Sequence, residues 1–280
     1  MVVHGPAAPT PRGGKLVVSC LPLGESRMMS EALAVKLVIE GQHVHEIDGR
    51  SYAVSPGQML IVDRGTPYRA YVPRRETARG LCLYLPARLS AANADEPLLG
   101  RALIQSTEAT ALGRFLTCCA ELVHGGRRSE LDLDRLLQTA GAHLDTMLSD
   151  ATASMNRLMA HKLSTRREVL NRLECARAYL HAQKERMVPL DELARVAGMS
   201  GFQLTRYFSL VFGKPPGRYH RTIRLHHAAK RLREEDASVT EIALSAGYSE
   251  ASAFSYAFVR EFGHPPKFEA RFAAGLSRAA

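Results

Sequence analysis

Residues 192–216 read ELARVAGMSGFQLTRYFSLVFGKPP, and residues 241–266 read EIALSAGYSEASAFSYAFVREFGHPP. The two stretches are one pattern written twice. Glu192, Leu193, Ala194, Gly198 and Ser200 recur as Glu241, Ile242, Ala243, Gly247 and Ser249 at an offset of 49. Phe208, Phe212, Gly213, Pro215 and Pro216 recur as Phe258, Phe262, Gly263, Pro265 and Pro266 at an offset of 50, so one residue has entered mid-copy. Each copy begins with a short helix that turns Leu-Ala or Ile-Ala inward. A glycine follows, suited to the left-handed position that ends a helix. A serine comes next, suited to cap a second helix. Helix, tight turn and capped helix make a helix-turn-helix, whose second helix enters the major groove of DNA.

Charge agrees with that placement. The 280 residues carry a formal net charge of +9. Residues 1–160 hold 17 Lys+Arg against 16 Asp+Glu, whereas residues 161–280 hold 20 against 12. A basic half beside a neutral half suits a polyanion partner for one domain and a different task for the other. Length allows about two domains, and 46% hydrophobic with 23% charged residues is a globular composition. Five cysteines without CxxC spacing, a Pro/Gly-rich start in place of an apolar signal segment, and no long apolar run predict a reduced, cytoplasmic protein. No nucleophile elbow, phosphate-binding loop or dinucleotide fingerprint is present, so neither enzymatic activity nor a cofactor is expected.

Around the repeat the chain divides. Residues 1–14 (MVVHGPAAPTPRGG) read as a flexible tail. Residues 15–95 hold short β-branched or aromatic runs: LAVKLVIEG (33–41), HVHEIDGRSYAV (43–54), GQMLIVDR (57–64), YRAYV (68–72) and GLCLYL (80–85). Regular short strands of this kind predict an antiparallel sandwich or barrel, with Asp48-Gly49 as a type I′ hairpin turn. Residues 96–150 read helical, with one helix over 98–125 and another over about 130–149, opened by a Ser129/Asp132 capping box. Leu133, Leu136, Leu137, Ala140, Leu144, Met147 and Leu148 lie at 3-and-4 spacing on one face of that second helix. The face fits packing within its own domain or a dimer interface. Residues 151–165 are small and polar, as a linker would be, and 166–280 are helical throughout.

The block EIALSAGYSEASAFSYAFVREFGHPPKF, with LDELARVAGMSGFQLTRYF and the connector RLHHAAKRL, resembles the AraC-type (AraC/XylS) family of bacterial transcription regulators over about 170–272. The resemblance implies an α+β two-domain chain. Its C-terminal all-α domain would hold two helix-turn-helix units joined by a linker helix, facing successive major grooves. Its N-terminal domain would be a cupin-like β-barrel with following helices, receiving an effector or forming a dimer. Promoter DNA is the implied partner, with RNA polymerase alongside. Reception of a protein partner in place of a small molecule is an alternative for the N-terminal domain. A cupin-type metalloenzyme is the alternative of another class.

Helical geometry selects the DNA-facing residues. In the first unit Leu204, Phe208 and Phe212 face inward, leaving Phe202, Gln203, Thr205 and Arg206 outward. Arg206 matches guanine, Gln203 matches adenine, and Phe202 or the Thr205 methyl matches a thymine methyl. The family's base-contacting positions fall on Phe202, Thr205 and Arg206. In the second unit the outward residues are Glu250, Ala251, Ser252, Ser255 and Tyr256. Tyr256 stands where the family usually carries Arg, so Ser252, Ser255 and Tyr256 are expected to position more than to read. Expected phosphate contacts are Ser200, Lys214, Arg218, Arg221, Arg224, Lys230, Arg231 and Ser249.

In the N-terminal half, Tyr52, Met59, Tyr68, Tyr71 and Tyr84 are barrel-facing candidates for an effector pocket, or ordinary core. Arg64, Arg69, Arg74, Arg75 and Arg79 could hold an acidic effector or decorate loops. His43 and His45 share one strand face, but Tyr68 stands where a cupin-type metal site would place a histidine. The strand is therefore read as solvent-facing and no metal is expected. Cys118 and Cys119 are read as buried small hydrophobes.

Overall fold

The computed structural model describes residues 14–21, 25–29, 32–73, 77–86, 101–127, 131–158, 162–235 and 237–269. The expected tail 1–13, Arg74, Arg75 and Ser129 lie outside the described residues. The chain forms two compact units, residues 1–178 and 179–280.

Among the described residues of the first unit, nine strands form two antiparallel sheets. β1 (Lys15–Leu21), β3 (Leu33–Glu40), β6 (Gln58–Val62), β8 (Ala78–Leu85) and β9 (Ala102–Ser106) make a five-stranded sheet in the order β1-β8-β3-β6-β9. β2 (Glu25–Met29), β4 (His43–Ile47), β5 (Arg50–Val54) and β7 (Pro67–Tyr71) make the other, in the order β2-β7-β4-β5. Among the described residues no ladder joins the sheets into a closed barrel, so the expected cupin-like barrel appears as two sheets. The β4–β5 hairpin turns at Asp48 and Gly49 with φ of 50° and 73°, the two positive values a type I′ turn requires.

Burial explains the division of labour between sheets. β6 and β9 are buried along their whole length, as strands covered on both faces must be. β5 alternates, with Tyr52 and Val54 inward and its other residues exposed. The inner cluster draws on both sheets, with Ala34, Leu60, Cys82, Tyr84 and Ile104 from one and Ile47, Tyr52 and Tyr68 from the other. The outer face of the five-stranded sheet is covered by α1 (Ala111–His124), which packs on β3 and is itself packed by α2 (Leu133–Arg157).

Three expectations are corrected here. The helix expected over 98–125 is strand β9 followed by α1. The run Ala102–Ser106 finds a long-range ladder to β6, with Ile104 opposite Leu60, and only Thr110 caps the helix. The second helix is capped by Asp132 and runs through Arg157, well into the stretch read as a linker. Leu136, Leu137, Ala140, Leu144, Met147 and Leu148 are all buried within the unit, leaving only Leu133 of the expected dimer face exposed. That face is consumed by its own domain. The division between units falls inside α3 (Leu163–Ala182), whose Asn171 donates to the Ala102 carbonyl and whose Ala178 joins the inner cluster.

The second unit is all helical: α4 (Leu190–Ala197), α5 (Gly201–Phe212), α6 (Pro216–Glu234), α7 (Val239–Ser245) and α8 (Ala251–Phe262). Its core has two halves threaded by α6. Tyr219, near the start of α6, packs against Phe208 and Phe212 of α5. Leu225, Ala228, Ala229 and Leu232, further along, pack with Ile242, Ala243, Phe254 and Phe258 of α7 and α8. One helix is thus a wall of both helix-turn-helix cores.

Candidate nucleic-acid interface and inner chamber

The first turn is built as the sequence specifies. Gly198 adopts φ 60° after α4, and Ser200 caps α5 by accepting from the Gln203 backbone N–H at 3.2 Å. The Gln203 side chain closes the reciprocal half of this capping box, its Oε1 accepting from the Ser200 N–H at 3.3 Å. Gln203 is therefore occupied at the helix start, which corrects its assignment as an adenine reader. Phe202 is 77% exposed and Arg206 is exposed one turn on, with its guanidinium 5.9 Å from the Tyr207 ring. Thr205 is half-buried between them, its carbonyl accepting from the Ser209 hydroxyl.

The second unit shows where the inserted residue went. α7 is capped by Ser238 with Glu241 in a full capping box. From Gly198 to the start of α5 is three residues, whereas from Gly247 to the start of α8 is four. Consequently Glu250, not Ser249, is the N-cap of α8, and its side chain makes no cap bond. Its carboxylate instead accepts from the Ser252 hydroxyl at 3.0 Å. Tyr256 is 74% exposed at the position equivalent to Arg206, and Ser255 is half-buried.

The cations sort into two groups. Lys214, Arg218 and Arg221 are exposed. Lys230 is exposed beside Glu234, and Arg231 pairs with Glu235 and donates to Ser245, so both have protein partners already. Arg224 is 6% exposed and corrects the phosphate assignment outright. It donates to the Ala246 carbonyl at 2.7 Å and lies over the Tyr248 ring at 5.1 Å, bracing the second turn from within. Gly247 sits against this brace with φ 76°. A Cβ there would stand 3.0 Å from the Met187 nitrogen and 3.1 Å from the Arg224 guanidinium. The second turn is thereby locked to the segment that precedes α4. Across that segment Glu192 accepts from Arg186 and Tyr179, and these bonds hold its carboxyl down to about 2.

The first unit carries a buried polar group between its sheets that sequence reasoning read differently. His43 and His45 are buried rather than solvent-facing, because alternation along β4 aligns them with buried Ile47. From the opposite sheet Lys36, on the same face of β3 as Ala34 and Val38, meets them. Its Nζ lies 3.5 Å from Cys82 Sγ, 4.7 Å from the Tyr68 ring centre and 5.8 Å from that of Tyr84. His45 stands edge-on to Tyr68 at 5.9 Å and to His43 at 6.0 Å. Burial, then the Lys36 charge, pushes the pKa of His43 down and that of His45 well down, so both rings are neutral at neutral pH. Of the expected pocket residues, Tyr52, Tyr68 and Tyr84 belong to this inner layer. Tyr71 alternates with Ala70 and lies 5.6 Å from the Arg69 guanidinium, so it is half-buried on the outer face of β7, away from that layer. Met59 alternates with Leu60 and so lies on the outer face, under the helices, which corrects its assignment. Arg69 pairs with Glu46 and Arg79 with Glu40. Among the described residues no group of three metal-ligating side chains exists. Cys119 is buried, its thiol raised to about 11 by burial, whereas its neighbour Cys118 is exposed against expectation.

No described helix is long and apolar enough to cross a membrane. Residues 193–269 match a helix-turn-helix domain model and residues 30–140 match the AraC-like ligand binding domain. The chain is 36% identical over 84 residues to a protein of Proteus vulgaris named "Probable transcription factor PqrA", covering 30% of this chain and 69% of that one. It is 27% identical over 278 residues to the HTH-type transcriptional regulator ExsA of Pseudomonas aeruginosa, covering 91% and 92%. A solved AraC-type regulator structure from Chromobacterium violaceum is 29% identical over 37% of this chain and 92% of that one, with a TM-score of 0.35. The match spans only 29% of the length of other curated regulators. With both domain models matched in order along it, the chain belongs to the AraC-type family of transcription regulators.

Proposed function

We propose that the protein is a sequence-specific DNA-binding transcription regulator, without enzymatic activity, whose first helix-turn-helix reads bases and whose second mainly positions. One observation carries this reading. Two helix-turn-helix units share α6 as a common wall, yet present different outward residues: Phe202, Thr205 and Arg206 on α5, but Ser252, Ser255 and Tyr256 on α8. An Arg reads guanine bidentately, whereas two Ser and a Tyr offer single hydroxyls with little power to discriminate. Lys214, Arg218 and Arg221, with the Ser200 and Ser249 hydroxyls, supply phosphate contacts near the recognition helices. The partner is double-stranded promoter DNA, with RNA polymerase alongside.

The cupin-like N-terminal domain is proposed to receive a small-molecule effector between its two sheets, beside Tyr52, Tyr68 and Tyr84. Its match to a ligand-binding domain model supports that reading. Any homodimer would use a surface other than the buried face of α2. The test is a mobility shift of the full chain on DNA from upstream of its own gene, against shuffled competitor. Site-specific retardation that Arg206→Ala weakens supports the reading. Equal retardation of specific and shuffled DNA contradicts it.

A further inference from the structure

The layer between the two sheets holds a cation that no described carboxylate pairs with and imidazole nitrogens without partners. Lys36 is 8% exposed, brings three N–H donors and no acceptor, and meets a thiol sulfur and two phenol rings. Among the described residues no carboxylate pairs with it. His45 is 2% exposed, and neither of its ring nitrogens has a partner; Nε2 of His43 has none either. A buried cation without a counter-ion and three buried nitrogens without partners are each unfavourable by about 1 kcal/mol or more. A fold keeps such groups when something else satisfies them. All three side chains point into the same layer from facing sheets, with the small side chains Ala34, Ala70 and Cys82 beside the rings of Tyr68 and Tyr84.

We propose that this layer opens to bind a small organic carboxylate with an apolar body, one carboxylate oxygen taking the Lys36 ammonium and the other an N–H of His45. The inference rests on the effector reading of this domain and names the class of effector. A neutral polyol would satisfy the imidazoles but leave the Lys36 charge unpaired. A metal cation would sit beside that charge with too few ligands. The apolar body fits the aromatic and alanine surroundings of the charge. Of the arginines that sequence suggested for an acidic effector, Arg69 and Arg79 are paired with Glu46 and Glu40 at the surface.

The test uses the full-length protein, with benzoate as probe, benzyl alcohol as its neutral counterpart and chloride at matched ionic strength. Benzoate is expected to raise the melting temperature of the wild type by at least about 5 °C near saturation. Benzyl alcohol and chloride are expected to leave it unchanged. Lys36→Met should abolish the benzoate shift while raising the melting temperature without benzoate, because an unpaired buried charge is removed. Lys36→Arg, which keeps the charge, should retain a reduced shift even where the Met variant folds poorly. If benzyl alcohol matches benzoate, or the shift survives in Lys36→Met, the carboxylate proposal is overturned while a ligand-binding domain stands. If neither compound shifts the wild type, the proposal falls. If a wider set of neutral metabolites also fails, the effector reading falls with it. A lower melting temperature for unliganded Lys36→Met, together with no benzoate shift in Lys36→Arg, assigns Lys36 a structural role instead.

Discussion

Arg206 and Gln203 sit within one turn of each other on α5 but do different work. Arg206 is exposed and points away from the Phe208 core, so Arg206→Ala should lower affinity by about 1–3 kcal/mol at a single base position. Competition against a set of singly substituted operators measures that. Gln203 is held in the capping box with Ser200, so Gln203→Ala should lower folding stability by roughly 0.5–2 kcal/mol and leave base preference unaltered. Urea unfolding and the same operator set separate the two effects. Sequence made both residues visible as outward-facing. It could not show that Gln203 is engaged at the cap, because a Ser and a Gln three residues apart serve equally as a cap or as two free side chains. Lys36 and His45 were less legible. A Lys within LAVKLVIE and two His alternating with Val and Glu both look like a solvent-facing strand until the opposing sheet is in place.

The decisive element is α6, which carries side chains into both helix-turn-helix cores. His220 on α6 is buried and bonds to the Gln183 carbonyl; burial outweighs that bond and pushes its pKa down to about 4. An unfolded histidine titrates near 6.5. The folded unit thus favours the neutral ring, and its contribution is complete above about pH 6.5 and is lost as pH falls toward 4. At pH 5 the loss is about 2 kcal/mol. Urea midpoints at pH 7.5 and pH 5.0 should show that loss in the wild type and a smaller one in His220→Asn. At the second turn, Gly247→Ala would put a Cβ against the Met187 nitrogen on a left-handed backbone, and should destabilise by more than about 1 kcal/mol. An unchanged melting curve would contradict the lock. The glycine-turn pattern was readable from sequence alone, and so was the helix that joins the copies. β9 was not, since its strand character comes from a ladder to β6 some forty residues away and not from any local period.

At the scale of the molecule, a basic C-terminal unit presents Lys214, Arg218 and Arg221 to solvent. Specific binding should therefore weaken steeply with salt, and removing any one of these charges should shallow the log–log slope by about one. Arg224→Met should leave the slope untouched and lower stability, since the buried guanidinium serves the Ala246 carbonyl. Two-domain organisation was legible from the change of composition and the uneven charge. The boundary was not, because α2 continues into the small, polar segment and the division falls inside α3.

The central claim is that two copies of one motif now divide the reading of DNA between them unequally. Selection of full-length protein on randomised duplex DNA, followed by sequencing of the bound fraction, measures base preference across both half-sites at once. The account predicts a strong preference with at least one dominant guanine in the half-site under α5, lost in Arg206→Ala, and a weak preference in the half-site under α8. Equal preferences in both half-sites, or a dominant one that Tyr256→Ala removes and Arg206→Ala spares, would contradict it.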